Sequence, residues 1–342
     1  MKLSRFQDKG IEFTEEYVII QRLIEGVGRI LITGGAGFIG SAFAQLAVAK
    51  GYDVTVLDNL SNSSDSEFEA LREIGIDCIL GDIRNEDAVS HAMKDCNYVV
   101  HFAAQVSVSE SVRNPHETMN INVNGTQVLV NESKKSSIQK FVLASSAAVY
   151  GNNNSTPHRE VEIGEELSPY AESKIKNEKQ IKVLNSIGCQ TFALRFFNVY
   201  GLEKSMKSGY SAVIPSFIEQ MWRGENPVVF GDGKQSRDFV HIDDVCNAIF
   251  SCLEHNLRAN MHFVMNVATG NSTSLVDLIS ELNDIMSNQN NRILQPPKFV
   301  GARAGDVLHS KGCIERISKT LGWEPSIHLR EGLTRMIQQV RD

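Results

Sequence analysis

Short runs of apolar and β-branched residues alternate along this chain with longer segments in which apolar residues recur every three or four positions. The short runs predict β-strands, and the longer segments predict amphipathic helices. Strands are predicted at residues 29–33, 54–57, 78–80, 98–102, 141–145 and 191–196. Helices are predicted at residues 38–50, 116–134 and 169–187. This alternation is typical of the α/β class with a doubly wound parallel sheet.

The predicted topology also indicates where a ligand binds. Right-handed crossovers place the carboxyl ends of parallel strands at one edge of the sheet, where ligands bind in such folds. Beyond residue 198 the pattern becomes irregular, with Gly- and Pro-rich stretches at residues 224–232 and 295–305. We expect this half to form a smaller C-terminal lobe that covers the sheet edge and binds the substrate.

Composition narrows the possible partners. The 342 residues are 42% hydrophobic and 22% charged, which is typical of a globular protein. A net charge of −7 argues against a nucleic-acid partner and provides no attraction to an anionic membrane. No apolar run approaches the roughly 20 residues of a membrane span. The six cysteines form no C-x-x-C pair, which favours reduced thiols in a cytoplasmic protein and no metal site.

The first chemical motif is glycine-rich and lies between the first predicted strand and the first predicted helix. Gly34, Gly37 and Gly40 satisfy G-x-x-G-x-x-G, and Gly35 also completes G-x-G-x-x-G. Glycine permits a tight turn and a close approach of the backbone to a pyrophosphate. The N–H groups at the start of the following helix point at the phosphates. The motif predicts a dinucleotide site on a Rossmann-like sheet.

Residues after the next two strands refine the cofactor. Asp58 ends the second strand, where it is placed to accept hydrogen bonds from the adenosine ribose. A carboxylate there repels a 2′-phosphate, and Asn59 supplies no compensating cation, so NAD is predicted over NADP. Asp82 and Ile83 follow the third strand and are placed at the adenine edge, although Asp82 also fits a simple turn.

A second motif carries the chemistry. Tyr170 and Lys174 are four residues apart on a predicted helix and therefore share one face. A free phenol has a pKa of about 10. A neighbouring ammonium and a positive nicotinamide ring would both favour phenolate, so Tyr170 could take the proton of a substrate hydroxyl. Ser146, at the end of the fifth strand, could hydrogen-bond the same oxygen.

These motifs belong to an ordered set that carries a family resemblance. The segments are TGGAGFIG (33–40), DNLSN (58–62), HFAAQ (101–105), NVNGT (122–126), SSAAVYG (145–151), SPYAESK (168–174), RFFNVYG (195–201), GDGKQSRDFVHIDDV (231–245) and RAGD (303–306). From about residue 29 to the C-terminus, the chain resembles an extended short-chain dehydrogenase/reductase of the nucleotide-sugar epimerase/dehydratase family.

The resemblance implies roles for individual residues. The catalytic residues would be Ser146, Tyr170 and Lys174. The implied NAD contacts are Gly34, Gly37, Phe38, Ile39, Gly40, Asp58, Asn59, Asp82, Ile83, Ala103, Ala104, Gln105, Asn122, Tyr170 and Lys174. The implied nucleotide-sugar contacts are Ser107, Ser146, Asn198, Val229, Arg237, Arg303, Asp306 and Ser310.

The residue types at the implied sugar contacts match the chemical groups of a UDP-sugar. Two arginines, Arg237 and Arg303, can pair bidentately with a diphosphate. Asn198 can donate to a phosphate oxygen, and Asp306 can accept from ribose hydroxyls. The alternative for Arg237 is an ion pair with the adjacent Asp238.

The residues after Ser146 indicate the reaction. Related 4,6-dehydratases carry an Asp-Glu pair where this chain has Ala147 and Ala148. Related decarboxylases use a glutamate, and related 3,5-epimerases a cysteine, at the position of Ala148. Alanine performs none of these functions. The remaining expectation is a 4-epimerase that oxidises C4, lets the transient 4-keto sugar rotate and reduces it on the opposite face.

The substrate prediction depends on Ser310, four residues beyond Asp306. Tyrosine there resembles enzymes limited to UDP-glucose and UDP-galactose, and small residues resemble enzymes that accept N-acetylated sugars. Ser107 and Ser109 suit polar contacts with the sugar. UDP-N-acetylglucosamine/UDP-N-acetylgalactosamine is therefore favoured, with UDP-glucose or UDP-glucuronate as alternatives. A redox sensor that binds NAD(H) is the non-enzyme alternative, and the intact Ser146, Tyr170 and Lys174 weigh against it.

The expected organisation has three parts. Residues 1–27 lack a signal-peptide core and would form an N-terminal surface extension. Residues 28–196 would form the NAD-binding domain, with a return segment at 236–262. Residues 197–235 and 263–342 would form the nucleotide-sugar lobe. The helices at 116–134 and 169–187 resemble helices that pair across a two-fold axis in this family, so a cytoplasmic homodimer is expected.

Overall fold

The centre of the structure, a computed structural model, is a parallel sheet. The structure describes residues 27–153, 155–202, 213–255, 261–290, 296–302 and 307–339. Its strands are β1 (Arg29–Thr33), β2 (Asp53–Asp58), β3 (Asp77–Leu80), β4 (Tyr98–His101), β5 (Lys140–Ser146), β6 (Gln190–Phe196), β7 (Asn198–Tyr200), β8 (Val228–Phe230), β9 (Ser236–Arg237), β10 (Phe239–His241), β11 (His262–Val267), β12 (Thr273–Ser274) and β13 (Lys298–Val300).

Seven of the described strands form the main sheet, in the order β11-β6-β5-β4-β1-β2-β3. All of its neighbouring pairs are parallel. The six strands predicted from the sequence are all present, each within one residue of its predicted bounds. The chain order reverses between β1 and β4, which creates the crevice where ligands bind in doubly wound sheets. The predicted fold class is confirmed.

Among the described residues, helices lie on both faces of this sheet and in the smaller lobe. They are α1 (Phe38–Ala49), α2 (Asp65–Glu73), α3 (Glu86–Ala92), α4 (Val108–Arg113), α5 (Pro115–Met119), α6 (Gly125–Lys135), α7 (Pro169–Lys182), α8 (Val213–Trp222), α9 (Ile242–Glu254), α10 (Leu275–Asn290), α11 (Glu315–Leu321) and α12 (Leu329–Gln339). Among them, none combines the length and the apolarity that a membrane span requires.

Successive side chains of a strand point to opposite faces of the sheet, which explains why there is an apolar core on each face. In β1, Ile30 and Ile32 pack in one core with Phe43 of α1, whereas Leu31 packs in another with Leu129 of α6. All five side chains are fully buried. Because helices cover both faces of a parallel sheet, the three middle positions of β1 are all apolar.

The helix predicted at residues 116–134 is interrupted in the structure. α5 and α6 are separated by a π-helical turn at Asn120–Asn124. The predicted helix at 169–187 likewise ends its α-helical part at Lys182 and continues as a 3₁₀ helix over Val183–Ile187. A π turn inserts an extra residue and redirects a side chain, and such turns are frequent at functional sites.

In the described part of the smaller lobe, β7 pairs with β10, β8 with β13 and β9 with β12. Its core joins apolar residues of α8, α10 and α12, such as Phe217, Leu282 and Leu333. β11 pairs with β6 in the main sheet over His262–Val267, so it crosses the domain boundary that we expected at residue 263. The division into domains stays a prediction, and residues 1–26 of the expected extension lie outside the described part.

Candidate functional site

The turn between β1 and α1 has glycines where side chains would not fit. Gly34 has a φ of +69°, and a Cβ there would lie 2.6 Å from the backbone nitrogen of Ala103. A Cβ on Gly40 would lie 2.2 Å from the carbonyl oxygen of Gly34. α1 begins after Gly37 without a side-chain cap and without an acidic residue in its first turn. This cradle of backbone N–H groups at a helix N-terminus fits a pyrophosphate.

Asp58 lies directly beside the cradle. One of its carboxylate oxygens accepts a hydrogen bond from the backbone N–H of Ala36 at 3.0 Å, and the other accepts from Leu60 at 2.8 Å. Burial raises the pKa of Asp58, and these two hydrogen bonds oppose that rise. Asp58 therefore joins the end of β2 to the glycine turn, next to the predicted ribose position.

The predicted adenine residues have partners of their own. Asp82 receives two side-chain hydrogen bonds from Arg84, at 2.9 and 2.8 Å, and one from Asn59 at 3.0 Å. The hydrogen bonds from Arg84 lower the pKa of Asp82 to about 2. Ile83 is 5% exposed, and its side chain belongs to the core beneath the sheet. Its backbone is therefore the part of Ile83 that can line a cofactor site.

The loop after β4 is held by Asn122, which lies in the π-helical turn and is 1% exposed. Its side-chain oxygen accepts from the backbone N–H of Gln105 at 2.8 Å. Its side-chain nitrogen donates to the carbonyl oxygen of Gln105 at 3.0 Å and to Ser173 Oγ at 2.9 Å. The amide that the sequence assigned to the cofactor thus connects Gln105 to α7, and its cofactor contact stays a prediction.

Tyr170 and Lys174 occupy the first turns of α7. Ser168 caps this helix by accepting from the N–H of Ala171 at 3.2 Å. Lys174 Nζ lies 5.7 Å from the centroid of the Tyr170 ring and donates to the carbonyl oxygen of Ala144 at 2.9 Å. Burial lowers the pKa of Lys174 to about 8. The ammonium beside the ring favours the phenolate form of Tyr170.

Ser146 ends β5 at the same edge of the sheet. Its Oγ accepts from the backbone N–H of Ala148 at 3.1 Å, which caps the 3₁₀ helix at Ala147–Tyr150. A hydroxyl that accepts one hydrogen bond still carries a proton to donate. Ser146 therefore keeps a hydroxyl proton that it can donate to a ligand at this edge of the sheet.

On the lobe side, the structure brings Arg237 and Ser310 together. An Arg237 Nη donates to the carbonyl oxygen of Ser236 at 3.0 Å, and the N–H of Ser310 donates to the same carbonyl at 3.0 Å. Ser310 is 7% exposed. Asn198 begins β7 and pairs with Phe239 of β10. A guanidinium and a strand-end amide at this edge are suitable ligands for a diphosphate.

The remaining predicted cofactor and sugar contacts lie in helix termini, in the core of the lobe or outside the described residues. Ser107 Oγ caps α4 by accepting from the N–H of Glu110 at 3.1 Å. Val229 is fully buried in the core of the lobe, so its side chain faces that core. Phe38 and Ile39 form the first turn of α1. Arg303 and Asp306 lie outside the described residues.

Comparisons with known proteins identify the family. Residues 30–268 match the NAD dependent epimerase/dehydratase family. The chain belongs to this family. It is 36% identical to a putative UDP-glucose 4-epimerase of Methanocaldococcus jannaschii over 92% of this chain and 98% of that protein. It is 30% identical to the UDP-glucose 4-epimerase of Bacillus subtilis, over 88% of this chain and 94% of that protein.

Solved structures of family members have the same fold. A UDP-N-acetylglucosamine 4-epimerase from Methanobrevibacter ruminantium, in complex with UDP-N-acetylmuramic acid, superposes with a TM-score of 0.84 at 32% identity. A UDP-glucose 4-epimerase from Thermotoga maritima, with UDP-glucose, superposes with a TM-score of 0.83 at 33% identity. Each comparison covers 92% of this chain and 98% of the other.

For this member of the epimerase/dehydratase family, four predictions are confirmed: the family, the fold class, NAD as the cofactor and the enzyme class of nucleotide-sugar epimerases. The cradle at Gly34–Gly40 and the position of Asp58 are suited to that cofactor. The roles of the individual site residues stay predictions, because the comparisons do not test them.

One buried residue of the smaller lobe, Asp238, was not predicted from the sequence to belong to the site. Asp238 is fully buried and follows Arg237 directly. Its carboxylate accepts from the N–H and the hydroxyl of Thr269, both at 2.7 Å, and from the N–H groups of Gly270 and Gly312 at 3.0 and 3.1 Å. Asp238 therefore joins two loops beside Arg237. The available signal in the sequence is the adjacent Arg237 and Asp238, a pair that also fits a local ion pair.

Proposed function

We propose that this protein is a 4-epimerase that acts on UDP-N-acetylglucosamine and UDP-N-acetylgalactosamine, with Ser146, Tyr170 and Lys174 as its catalytic residues. The observation that supports it most is the Tyr170–Lys174 pair, in which the lysine lies beside the tyrosine ring and donates to Ala144 near the end of β5. The turn after β5 continues with Ala147 and Ala148, so no acid or base follows Ser146 there.

In this proposal each side chain has one task. Tyr170 takes the proton from the sugar hydroxyl at C4 and returns it to the same oxygen. Lys174 stabilises the phenolate, and Ser146 holds the oxygen by hydrogen bonding. NAD, when bound, supplies the redox chemistry at C4. Gly34, Gly37 and Gly40 would hold its pyrophosphate, and Asp58 would accept from its adenosine ribose.

Two observations support an N-acetylated sugar. Ser310 is small, and its backbone bond to Ser236 places it next to Arg237, the proposed diphosphate ligand. A structural relative at 32% identity is a UDP-N-acetylglucosamine 4-epimerase. UDP-glucose is the second candidate, because the curated relatives from Methanocaldococcus jannaschii and Bacillus subtilis are described as UDP-glucose 4-epimerases.

The test is an assay of four UDP-sugars with purified protein: UDP-N-acetylglucosamine, UDP-glucose, UDP-glucuronate and UDP-xylose. The C4 epimer of each is separated by chromatography and confirmed by proton NMR. We expect the highest kcat/KM with UDP-N-acetylglucosamine. A higher value with UDP-glucose or UDP-glucuronate would overturn the substrate but not the reaction. No epimer from any sugar, with intact bound NAD, would overturn the reaction in favour of a redox sensor.

We also propose that the protein is a homodimer built from α6, α7 and the segments that flank them. Val112 of α4 is exposed, as are Val183 and Ile187 in the 3₁₀ helix after α7. Both of these segments contact α7, and exposed apolar side chains that flank a helix suit a contact with another chain. Light scattering at micromolar concentration should give twice the chain mass of 37.9 kDa. A mass equal to one chain would contradict the dimer.

A further inference from the structure

A buried carboxylate lies behind the proposed catalytic residues. Glu178 Oε1 accepts from Ser145 Oγ at 2.6 Å and from Arg195 Nε at 2.9 Å, and its Oε2 accepts from Arg195 Nη2 at 2.9 Å. Ser145, Glu178 and Arg195 are 3%, 5% and 1% exposed. The sequence motifs assign no role to any of the three, although Ser145 and Arg195 are the first residues of two of the family segments.

Glu178 and Lys174 both hydrogen-bond α7 to β5. Lys174 donates to the carbonyl oxygen of Ala144 in β5, and Glu178, one turn further along α7, accepts from the next residue, Ser145. Two successive helical turns are therefore tied to two successive residues of one strand. The following residue of that strand is Ser146. The two bonds set how far Ser146 lies from the helix that carries Tyr170.

The buried charges are neutralised and hydrogen-bonded on all sides. Besides its two bonds to Glu178, Arg195 donates to the carbonyl oxygen of Glu160 at 2.9 Å and to Tyr150 Oη at 3.2 Å. Tyr150 in turn donates to Asn266 Oδ1 at 2.5 Å. A buried ion pair often contributes no more to the stability of a fold than apolar side chains of the same volume would. A role in fixing the positions of neighbouring residues accounts better for the Glu178–Arg195 pair.

We propose that Glu178 is a positioning residue, which holds Ser145, and through it Ser146, in register with the helix that carries Tyr170 and Lys174. This inference rests on the proposed function, because Ser146 and Tyr170 must reach one sugar oxygen. A displacement of about 1 Å between reacting groups is enough to cost roughly 100-fold in rate.

Glu178 also acts on Lys174 through its charge. The groups that face Lys174 are Tyr170 and Glu178 on its own helix, His101 of β4, and Arg195 of β6 behind Glu178. Burial, with a smaller contribution from Lys174, lowers the pKa of His101 to about 3, so His101 is neutral near pH 7. Of these groups Glu178 opposes the lowering of the Lys174 pKa. Without that carboxylate, Lys174 would lose its proton at a lower pH.

The first test is Ser145→Ala, which removes one hydrogen bond and leaves the ion pair intact. We expect kcat for the best UDP-sugar to fall about 10- to 100-fold, with KM and the content of bound NAD unchanged. The matched control is Ser133→Ala, since Ser133 is also a fully buried serine but lies on α6 and contacts Met93. A wild-type kcat in Ser145→Ala, counted per NAD-loaded chain, would overturn the proposal whatever the melting temperature.

The second test is Glu178→Gln, which keeps the side-chain volume and an oxygen for Ser145 but removes the charge. The alkaline limb of the pH profile of kcat should move to lower pH, whereas Ser145→Ala should leave it in place. An unmoved limb in Glu178→Gln would contradict the electrostatic part. If Glu178→Gln does not fold, Ser145→Ala decides the proposal.

A third measurement needs no turnover. In protein labelled with ¹³C at lysine Cε, the resonance of Lys174 is assigned by its loss in Lys174→Met and then titrated. A lower Lys174 pKa in Glu178→Gln supports the electrostatic part of the inference even where no UDP-sugar is converted. An unchanged pKa contradicts the electrostatic part even where the enzyme is active, and the positioning part is then decided by kcat of Ser145→Ala. Failure of the proposed function and failure of this inference are thereby distinguished.

Discussion

The carboxylate of Asp58 accepts a hydrogen bond from the backbone N–H of Ala36 at 3.0 Å, across 22 positions of the chain. This bond joins the end of the second strand to the turn after the first strand. Asp58 is 8% exposed, so the contact is shielded from water. The residue proposed to select the cofactor is therefore part of the turn proposed to hold the phosphates.

We predict that Asp58→Asn weakens the discrimination against NADP. The amide keeps an oxygen for a backbone N–H but lacks the charge that repels a 2′-phosphate, so the ratio of NAD to NADP affinity should fall about tenfold or more. The measurement is the two dissociation constants by calorimetry on stripped protein. Asp53→Asn, an exposed position at the start of the same strand, is the control. An unchanged ratio in Asp58→Asn would mean that this carboxylate does not face the ribose.

Gly40→Ala should abolish cofactor retention. Its Cβ would lie 2.2 Å from the carbonyl oxygen of Gly34, so the turn would have to open. The control is Gly75→Ala, where φ is +87° but no atom lies within 4 Å of the added Cβ. That control should lose about 1–2 kcal/mol of stability to backbone strain and keep its NAD. The check is nucleotide released on denaturation, and equal NAD contents in the two variants would disprove the cradle.

Tyr170→Phe should lower kcat about 10²- to 10⁴-fold, the usual contribution of a positioned acid or base. Only the hydroxyl is removed, so the melting temperature and NAD content should match those of the unmodified protein. Tyr98→Phe is the control, because Tyr98 begins β4 at the opposite end of the sheet. Steady-state assays of both variants provide the comparison. Near-normal turnover in Tyr170→Phe would refute the proposed role.

Ser310→Tyr should change substrate choice. The ring would occupy the volume that an acetamido group needs, and overpacking costs roughly 1–3 kcal/mol, or about 10- to 100-fold in kcat/KM. UDP-glucose carries a hydroxyl where UDP-N-acetylglucosamine carries the acetamido group. Its kcat/KM should therefore fall much less. The measured quantity is the ratio of kcat/KM for UDP-N-acetylglucosamine to that for UDP-glucose in both proteins. If the ratio is the same, Ser310 does not line the pocket.

The strands and the spacing of the main motifs could be read from the sequence because they are local properties. Apolar periodicity predicted six strands within one residue of their observed bounds. The four-residue spacing of Tyr170 and Lys174 places both on one face of a helix, wherever that helix packs. The parallel order of strands brings Gly34, Asp58 and Ser146 to one edge, because such strands all end on the same side.

The partners of buried polar groups were decided only by the tertiary structure. Glu178 meets Ser145 across 33 positions, Asn122 meets Ser173 across 51, and Asp238 meets Gly312 across 74. Local patterns predict an element and its buried face, but not which distant element packs against that face. A buried carboxylate or amide must find donors or acceptors to offset its lost hydration, and the packing of distant elements determines which ones it finds.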